Sequence, residues 1–136
     1  MIDLLDNKYW TGSSGFNCAQ TVLMCMMEYY EKENDLWQNI AAPFGGGLCG
    51  SHVSVCGAIS GGLMVIGVMD NENKSKTGAE LVEFVTSRYG HINCDKILDI
   101  NFNDEDQVAR EKKDKSRTIC LPMIKDICLW LAARYS

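Results

Sequence analysis

The sequence predicts an all-α fold, a compact helical bundle with a glycine-rich loop ahead of a buried central helix. Three observations lead there: apolar residues recur at helical spacing, no segment shows sustained β-alternation, and an uncharged, glycine-punctuated run spans Val53 to Met69. The 136 residues suit a single domain, 1–136. A chain of this size buries about two-thirds of its unfolded surface in one core.

A short amphipathic helix is predicted over Ile2 to Tyr9, ending in the turn formers Thr11-Gly12-Ser13-Ser14-Gly15. A longer helix runs from about Asn17 to Lys32. Asp35-Leu36-Trp37-Gln38 has the capping-box pattern, and the helix it opens must end near Ala42, because Pro43 disfavours helical geometry in the residue before it. Phe44-Gly45-Gly46-Gly47-Leu48-Cys49-Gly50 is the glycine-rich loop. From about Ser54 to Met69 the run carries no charge, and Gly57, Gly61 and Gly62 offer a small-residue face for close helix packing. After a polar connection, Thr77-Gly78-Ala79-Glu80 has the form of a second capping box, and Gly90 closes that helix, whose inward stripe is Val82, Val85 and Tyr89. Asn93 caps a short helix through Leu98. Asn101 to Arg117 is a solvated loop or exposed helix, and a final helix from about Leu121-Pro122 turns Met123, Ile127 and Leu131 inward, with Ile124 and Trp130 beside them.

The net charge is −5 and the basic residues gather on no one face, so nucleic acid is not an expected partner. Val53 to Met69 is shorter and richer in glycine than the ~20 strongly apolar residues of a membrane span, so the chain is not expected to be membrane-embedded. Met1-Ile2-Asp3-Leu4-Leu5-Asp6 lacks the basic and apolar regions of an export signal. The expected setting is the reducing cytoplasm.

Seven cysteines are unusual for such a chain, because disulfide frameworks belong mainly to exported domains and use even counts. Reduced thiols, metal ligands or redox sulfurs remain as readings. Cys18, Cys56, Cys94 and Cys120 each fall at a predicted helix N-terminus, where free N–H groups and the helix dipole favour the thiolate. A bundle that gathers those ends makes one thiolate-rich pocket, suited to an iron–sulfur cluster or, alternatively, a structural zinc. Cys25 and Cys128 lie deeper in their helices and read as small core hydrophobes, so the four terminal thiols are expected to alkylate faster. No Cys-x-x-Cys and no Cys-x-x-Cys-His occurs, which excludes the thioredoxin, zinc-ribbon and c-type haem signatures.

Asn17-Cys18-Ala19-Gln20, Phe44-Gly45-Gly46-Gly47, the run from Cys56-Gly57-Ala58-Ile59 to Gly67, then Cys94 and Cys120, resemble the C_GCAxxG_C_C family of redox-active proteins over nearly the whole chain. The resemblance implies that Cys18, Cys56, Cys94 and Cys120 are the four signature cysteines, with a redox role often linked to transporter genes. It extends to the non-haem part of split-Soret cytochromes, which carries an iron–sulfur site; their haem attachment sequence is missing here. Cys25, Cys49 and Cys128 fall outside the signature.

Gly45 to Gly50 satisfies Gly-x-Gly-x-x-Gly literally, but a dinucleotide fingerprint needs a preceding strand, which Pro43 and the helical neighbourhood deny it. A wall of the cysteine pocket or a plain turn is the better reading. His52 and His91 read as surface or capping residues, and Lys112-Lys113-Asp114-Lys115 as a solvated face. The alternatives to a metal-based electron-transfer protein are a metal-free thiol–disulfide oxidoreductase using a pair such as Cys18 and Cys56, and a helical interaction module for a membrane transporter. A redox partner follows from the first reading. A homodimer is expected from the apolar surface of the central helix and of Trp10, Trp37 and Trp130.

Overall fold

The computed structural model describes residues 1–10 and 14–136. The predicted turn at Thr11-Gly12-Ser13 lies outside the described residues. Helix α1 (Ile2–Leu4) runs on as a π-helical segment (Leu5–Tyr9), followed by α2 (Cys18–Tyr29), α3 (Leu36–Ala41) with a 3-10 turn (Ala42–Phe44), α4 (Gly57–Met69), α5 (Lys74–Tyr89), α6 (Cys94–Leu98), α7 (Glu105–Lys115), a second π segment (Ser116–Cys120) and α8 (Leu121–Arg134). No strand forms among the described residues; one antiparallel bridge joins Val55 to Asn93. The fold is all-α. No described helix is long and apolar enough to cross a membrane.

Helix α4 is the centre, and its glycines decide how closely its neighbours approach. A Cβ on Gly61 would stand 2.7 Å from the Ala19 carbonyl oxygen, so α2 lies almost backbone to backbone against it. On its other side, a Cβ on Gly62 would meet Leu81 of α5 at 2.8 Å and Ile127 of α8 at 3.2 Å. Around this contact Val22, Leu23, Met26, Ile59, Ile66, Leu81, Val85, Ile124, Ile127 and Leu131 form the core, each with 1 % or less of its surface exposed. Trp10, Trp37 and Trp130 are partly buried and pack against this core.

Two predicted caps are replaced by neighbours. The N–H of Leu36 donates to the Asn34 side chain, not to Asp35. Helix α5 starts at Lys74, before Thr77, because the Asp70 carboxylate accepts the N–H of Asn73 at 2.7 Å and so turns the chain earlier. Thr77 then sits inside the helix and donates its hydroxyl to Asp70 at 2.8 Å, and Tyr135 does the same from the other end of the chain. Those hydrogen bonds, led by the Asn73 N–H, hold the Asp70 carboxyl down at about 2. Gly90 does close α5, at φ 85°.

The largest departure is at Cys120. The sequence places it at the start of a helix, yet α7, the π segment and α8 run on without a break in helical geometry. Pro122 has no N–H to give, which would leave a carbonyl unpaired in an α-helix. The π register absorbs this, with the N–H of Leu121 reaching five residues back to the Ser116 carbonyl. Cys120 therefore gains no free helix end.

Candidate functional site

Three of the four signature cysteines do stand at helix starts. Cys18 is the first residue of α2, held by a capping box in which the Asn17 side chain accepts the Gln20 N–H at 2.9 Å and the Gln20 side chain accepts the Asn17 N–H at 3.0 Å. The same two side chains reach out to the next segment, Asn17 donating to the Ala42 carbonyl and Gln20 to that of Gln38. Asn-x-x-Gln was thus a legible capping signal that helical periodicity alone did not register. Gly45 leaves room for it, since a Cβ there would fall 2.1 Å from the Asn17 side chain.

Cys56 is the N-cap of α4, with the Ile59 N–H donating to its carbonyl at 3.0 Å, and the backbone N–H groups of Ala58 and Ile59 favour its thiolate. Cys94 opens α6. These two are tied by the bridge between Val55 and Asn93, in which the Cys56 N–H donates to Ile92 at 2.8 Å and the Cys94 N–H to Ser54 at 2.9 Å. No periodicity in the sequence announces so short a pairing. Cys120 enters from the continuous helix, and it packs with Leu98 and Ile100 in a small apolar cluster that also touches Cys94.

The four thiols lie within electrostatic reach of one another. The charge of a thiolate at any one is felt at the others: Cys18 responds to Cys56, Cys120 and Cys94, Cys120 to Cys56 and Cys94, and Cys94 to Cys56. Burial is the first cause in every case, and it pushes all four thiols up, Cys94 and Cys120 to about 12. The expectation that helix ends favour thiolates here is therefore overturned. Desolvation of a charged sulfur outweighs a half-charge helix dipole, even at Cys56 where two N–H groups pull the other way. Among the described residues, no three His, Cys, Asp or Glu side chains are placed to share one metal ion.

The glycine-rich loop lies against Cys94. A Cβ on Gly47 would come within 3.0 Å of Cys94 Cβ and 2.8 Å of His52 Cα, and Gly46, Gly47 and Gly50 all adopt positive φ. It is a coiled turn closed by bonds such as His52 N–H to Gly46 carbonyl at 2.7 Å. Cys49 is exposed.

His52, read from sequence as a surface or capping residue, lies at the site. Its Nδ1 is 3.7 Å from Cys94 Sγ, its ring stacks on Phe102 at 4.4 Å, and burial holds its pKa below the usual value. His91 is exposed elsewhere. Lys112 was also missed: half-buried on α7, its charge favours the thiolates of Cys94 and Cys120. Beside Cys94, Asp95 Oδ1 is buried with no hydrogen-bond partner. A surface groove of about 640 Å³ lined by Trp10, Arg110, Lys113 and Arg117 has none of the cysteines in its wall.

Reactivity should therefore follow access more than helix position. In a short alkylation pulse on the metal-free folded protein, exposed Cys49 is expected to label first, partly exposed Cys18 and Cys94 next, and buried Cys25, Cys56, Cys120 and Cys128 last. Peptide mass mapping reads the order. Early labelling of Cys56 or Cys120 would contradict the burial that raises their pKa.

With this geometry in hand, comparison gives one match. The model of the family described as "Putative redox-active protein (C_GCAxxG_C_C)" covers residues 16–134, from just before Cys18 to beyond Cys120. No curated protein and no solved structure matches at a significant level.

Proposed function

The chain belongs to the C_GCAxxG_C_C family, and on that premise we propose that Cys18, Cys56, Cys94 and Cys120 form one redox centre that holds an iron–sulfur cluster and passes electrons to a partner. What supports the reading is that the family match spans all four cysteines and that these thiols, two buried and two partly buried on four separate segments, lie within electrostatic reach of one another. A pocket that holds four sulfurs where thiolates are unfavourable is unstable toward charge unless a cation is present; a coordinating thiol is deprotonated outright. The orphaned Asp95 oxygen beside Cys94 is of the same kind, a buried acceptor without a donor.

Four cysteine thiolates would suit an iron–sulfur cluster or a structural zinc, and the family's redox description favours the cluster, since zinc has no redox chemistry. Once bound, a cluster exchanges single electrons at a potential set by nearby charge, hydrogen bonds and solvent access. The chain supplies all three: Lys112 contributes positive charge, the backbone of Ala58 and Ile59 favours the Cys56 thiolate, and the glycine loop with the His52–Phe102 stack lies against Cys94. A cytoplasmic setting keeps such thiols reduced until they are loaded.

A metal-free disulfide enzyme built on Cys18 and Cys56 is the second reading, and the raised thiol pKa values weigh against it, since the thiolate is the nucleophile. A transporter-docking module in which the thiols serve stability alone is the third. Anaerobic purification followed by iron, zinc and sulfide analysis and a visible spectrum separates them. Iron with sulfide and a broad visible band is the expected result; neither iron nor zinc would remove the metal reading and leave the disulfide one.

A further inference from the structure

The groove of about 640 Å³ between Trp10 and the α7 rod is separate from the cysteine centre, and its wall divides into an apolar and a cationic part. Its size lies within the range of about 300–1,000 Å³ usual for small-molecule sites. Trp10 and Leu121 supply apolar surface. Arg110 and Lys113 of α7 and Arg117 of the π segment recur three and four residues apart along one continuous rod, so they share a face and form a row. Other basic residues of the same rod are engaged elsewhere. The Lys115 ammonium binds Glu111 at 3.0 Å and the Asp99 carbonyl at 3.1 Å, and the charge of Lys112 bears on Cys94 and Cys120.

The charges of the wall do not cancel. Asp114 is the one acid lining the groove among the described residues, and it is bound to Arg117 at 2.9 Å. Arg110 stands 3.9 Å from Glu111, too far for a hydrogen bond, and Lys113 makes no ion pair among the described residues. Three cations against one carboxylate leave two positive charges in excess, on a chain whose net charge is −5. A phosphate monoester carries about −1.5 to −2 at neutral pH and matches that excess, whereas a lone carboxylate meets only half of it. Guanidinium groups hold phosphate oxygens in a fork, and a lysine adds a point charge.

Trp10 sets the other half of the ligand. It is half-buried and packs against the small cluster of Leu98, Ile100 and Cys120, which holds the indole in place while it lines the groove. An indole held in this way is a platform on which a flat aromatic ring stacks.

We propose that this groove binds the phosphate monoester of a planar heteroaromatic compound, a purine mononucleotide or a flavin mononucleotide, with its ring against Trp10 and its phosphate among Arg110, Lys113 and Arg117. Leu121 follows Cys120 in the chain, so the ligand lies beside the segment that carries this sulfur. The site itself uses none of the cysteines.

The test is titration calorimetry on the full chain with flavin mononucleotide and adenosine monophosphate, and with riboflavin and adenosine as the same rings without phosphate. Expected is saturable one-to-one binding of at least one phosphate, with its phosphate-free counterpart weaker by about tenfold or more, the ratio that a lost charge-assisted hydrogen bond implies. Which phosphate binds more tightly identifies the ring the groove takes. Lys113→Glu, at an exposed position without an ion pair, should weaken that binding by about tenfold or more. Lys76→Glu, the same charge reversal at an exposed position of α5 outside this wall, should leave it unchanged. Trp10→Leu should weaken it too, and if that variant fails to fold the two lysine variants decide. No binding of either phosphate would overturn the proposal, as would equal affinity with and without phosphate, or equal effects of the two lysine variants. Iron and sulfide measured on the same samples test the cysteine centre separately, so a chain that lacks iron and still binds the phosphate loses only the cluster reading.

Discussion

Serine in place of Cys18, Cys56, Cys94 or Cys120 is expected to abolish or strongly weaken the visible band of anaerobically reconstituted protein. A serine oxygen is a harder donor than the thiolates iron–sulfur clusters require, and each substitution removes one of only four sulfurs in the pocket. Loss of an outer-shell partner already costs roughly 10–100-fold in metal affinity, so loss of a ligand itself should exceed that range. Cys25→Ser and Cys128→Ser serve as controls: the band persists, and stability falls by about 1–3 kcal/mol where the new hydroxyl is buried without its full complement of hydrogen bonds. The discriminating measurement is iron bound per chain for all six variants under one protocol. Iron retained by each of the four signature variants would show that other residues bind it, and the ligand assignment would fall while a redox role could stand.

Gly61→Ala is expected to destabilise the fold by about 1–3 kcal/mol, the usual cost of forcing an extra methyl into a packed core. Alanine in a helix ordinarily gains roughly 0.5–1 kcal/mol over glycine, so helix propensity argues for the opposite sign. Geometry decides between the two. The new Cβ would sit 2.7 Å from the Ala19 carbonyl oxygen and 3.2 Å from Ala19 Cα, and backbone atoms cannot rotate out of the way. Helix α2 would have to move, and Cys18 at its first turn would move with it. Gly67→Ala, six residues along the same helix and with nothing within 4 Å of its Cβ position, should instead stabilise by about 0.5–1 kcal/mol. Urea unfolding of both, compared at unchanged slope, reads the two signs. A neutral Gly61→Ala would mean that α2 and α4 do not approach as closely as described.

The consequence for function is that packing and site are coupled through α2. Gly57 stands one turn before Gly61, and a Cβ there would meet Ala19 N–H at 3.0 Å and Cys18 Cβ at 3.2 Å. The glycines that bring the helices together thus also set how near Cys18 comes to the start of α4, where Cys56 lies.

Much of this architecture depends on short-range chemistry and was legible without the fold. The uncharged, glycine-spaced run from Ser54 to Met69 could only be a buried helix packed closely on small residues, and Gly90 supplied the left-handed residue that ends α5. The motif order around Cys18, Cys56, Cys94 and Cys120 marked the residues of the proposed centre. What tertiary structure decided was their electrostatics and company. Helix ends suggested thiolates, but desolvation depends on how many atoms surround each sulfur, which no local pattern records, and it drives all four pKa values upward. Pro122 suggested a helix start, but a π turn carried the helix through it, so Cys120 arrived from a helix interior and Lys112 came to bear on the pocket from the same continuous rod. His52 reached Cys94 because positive-φ glycines coil the loop back on itself. Local sequence sets which conformations each segment prefers, whereas burial and long-range proximity exist only once the segments have packed.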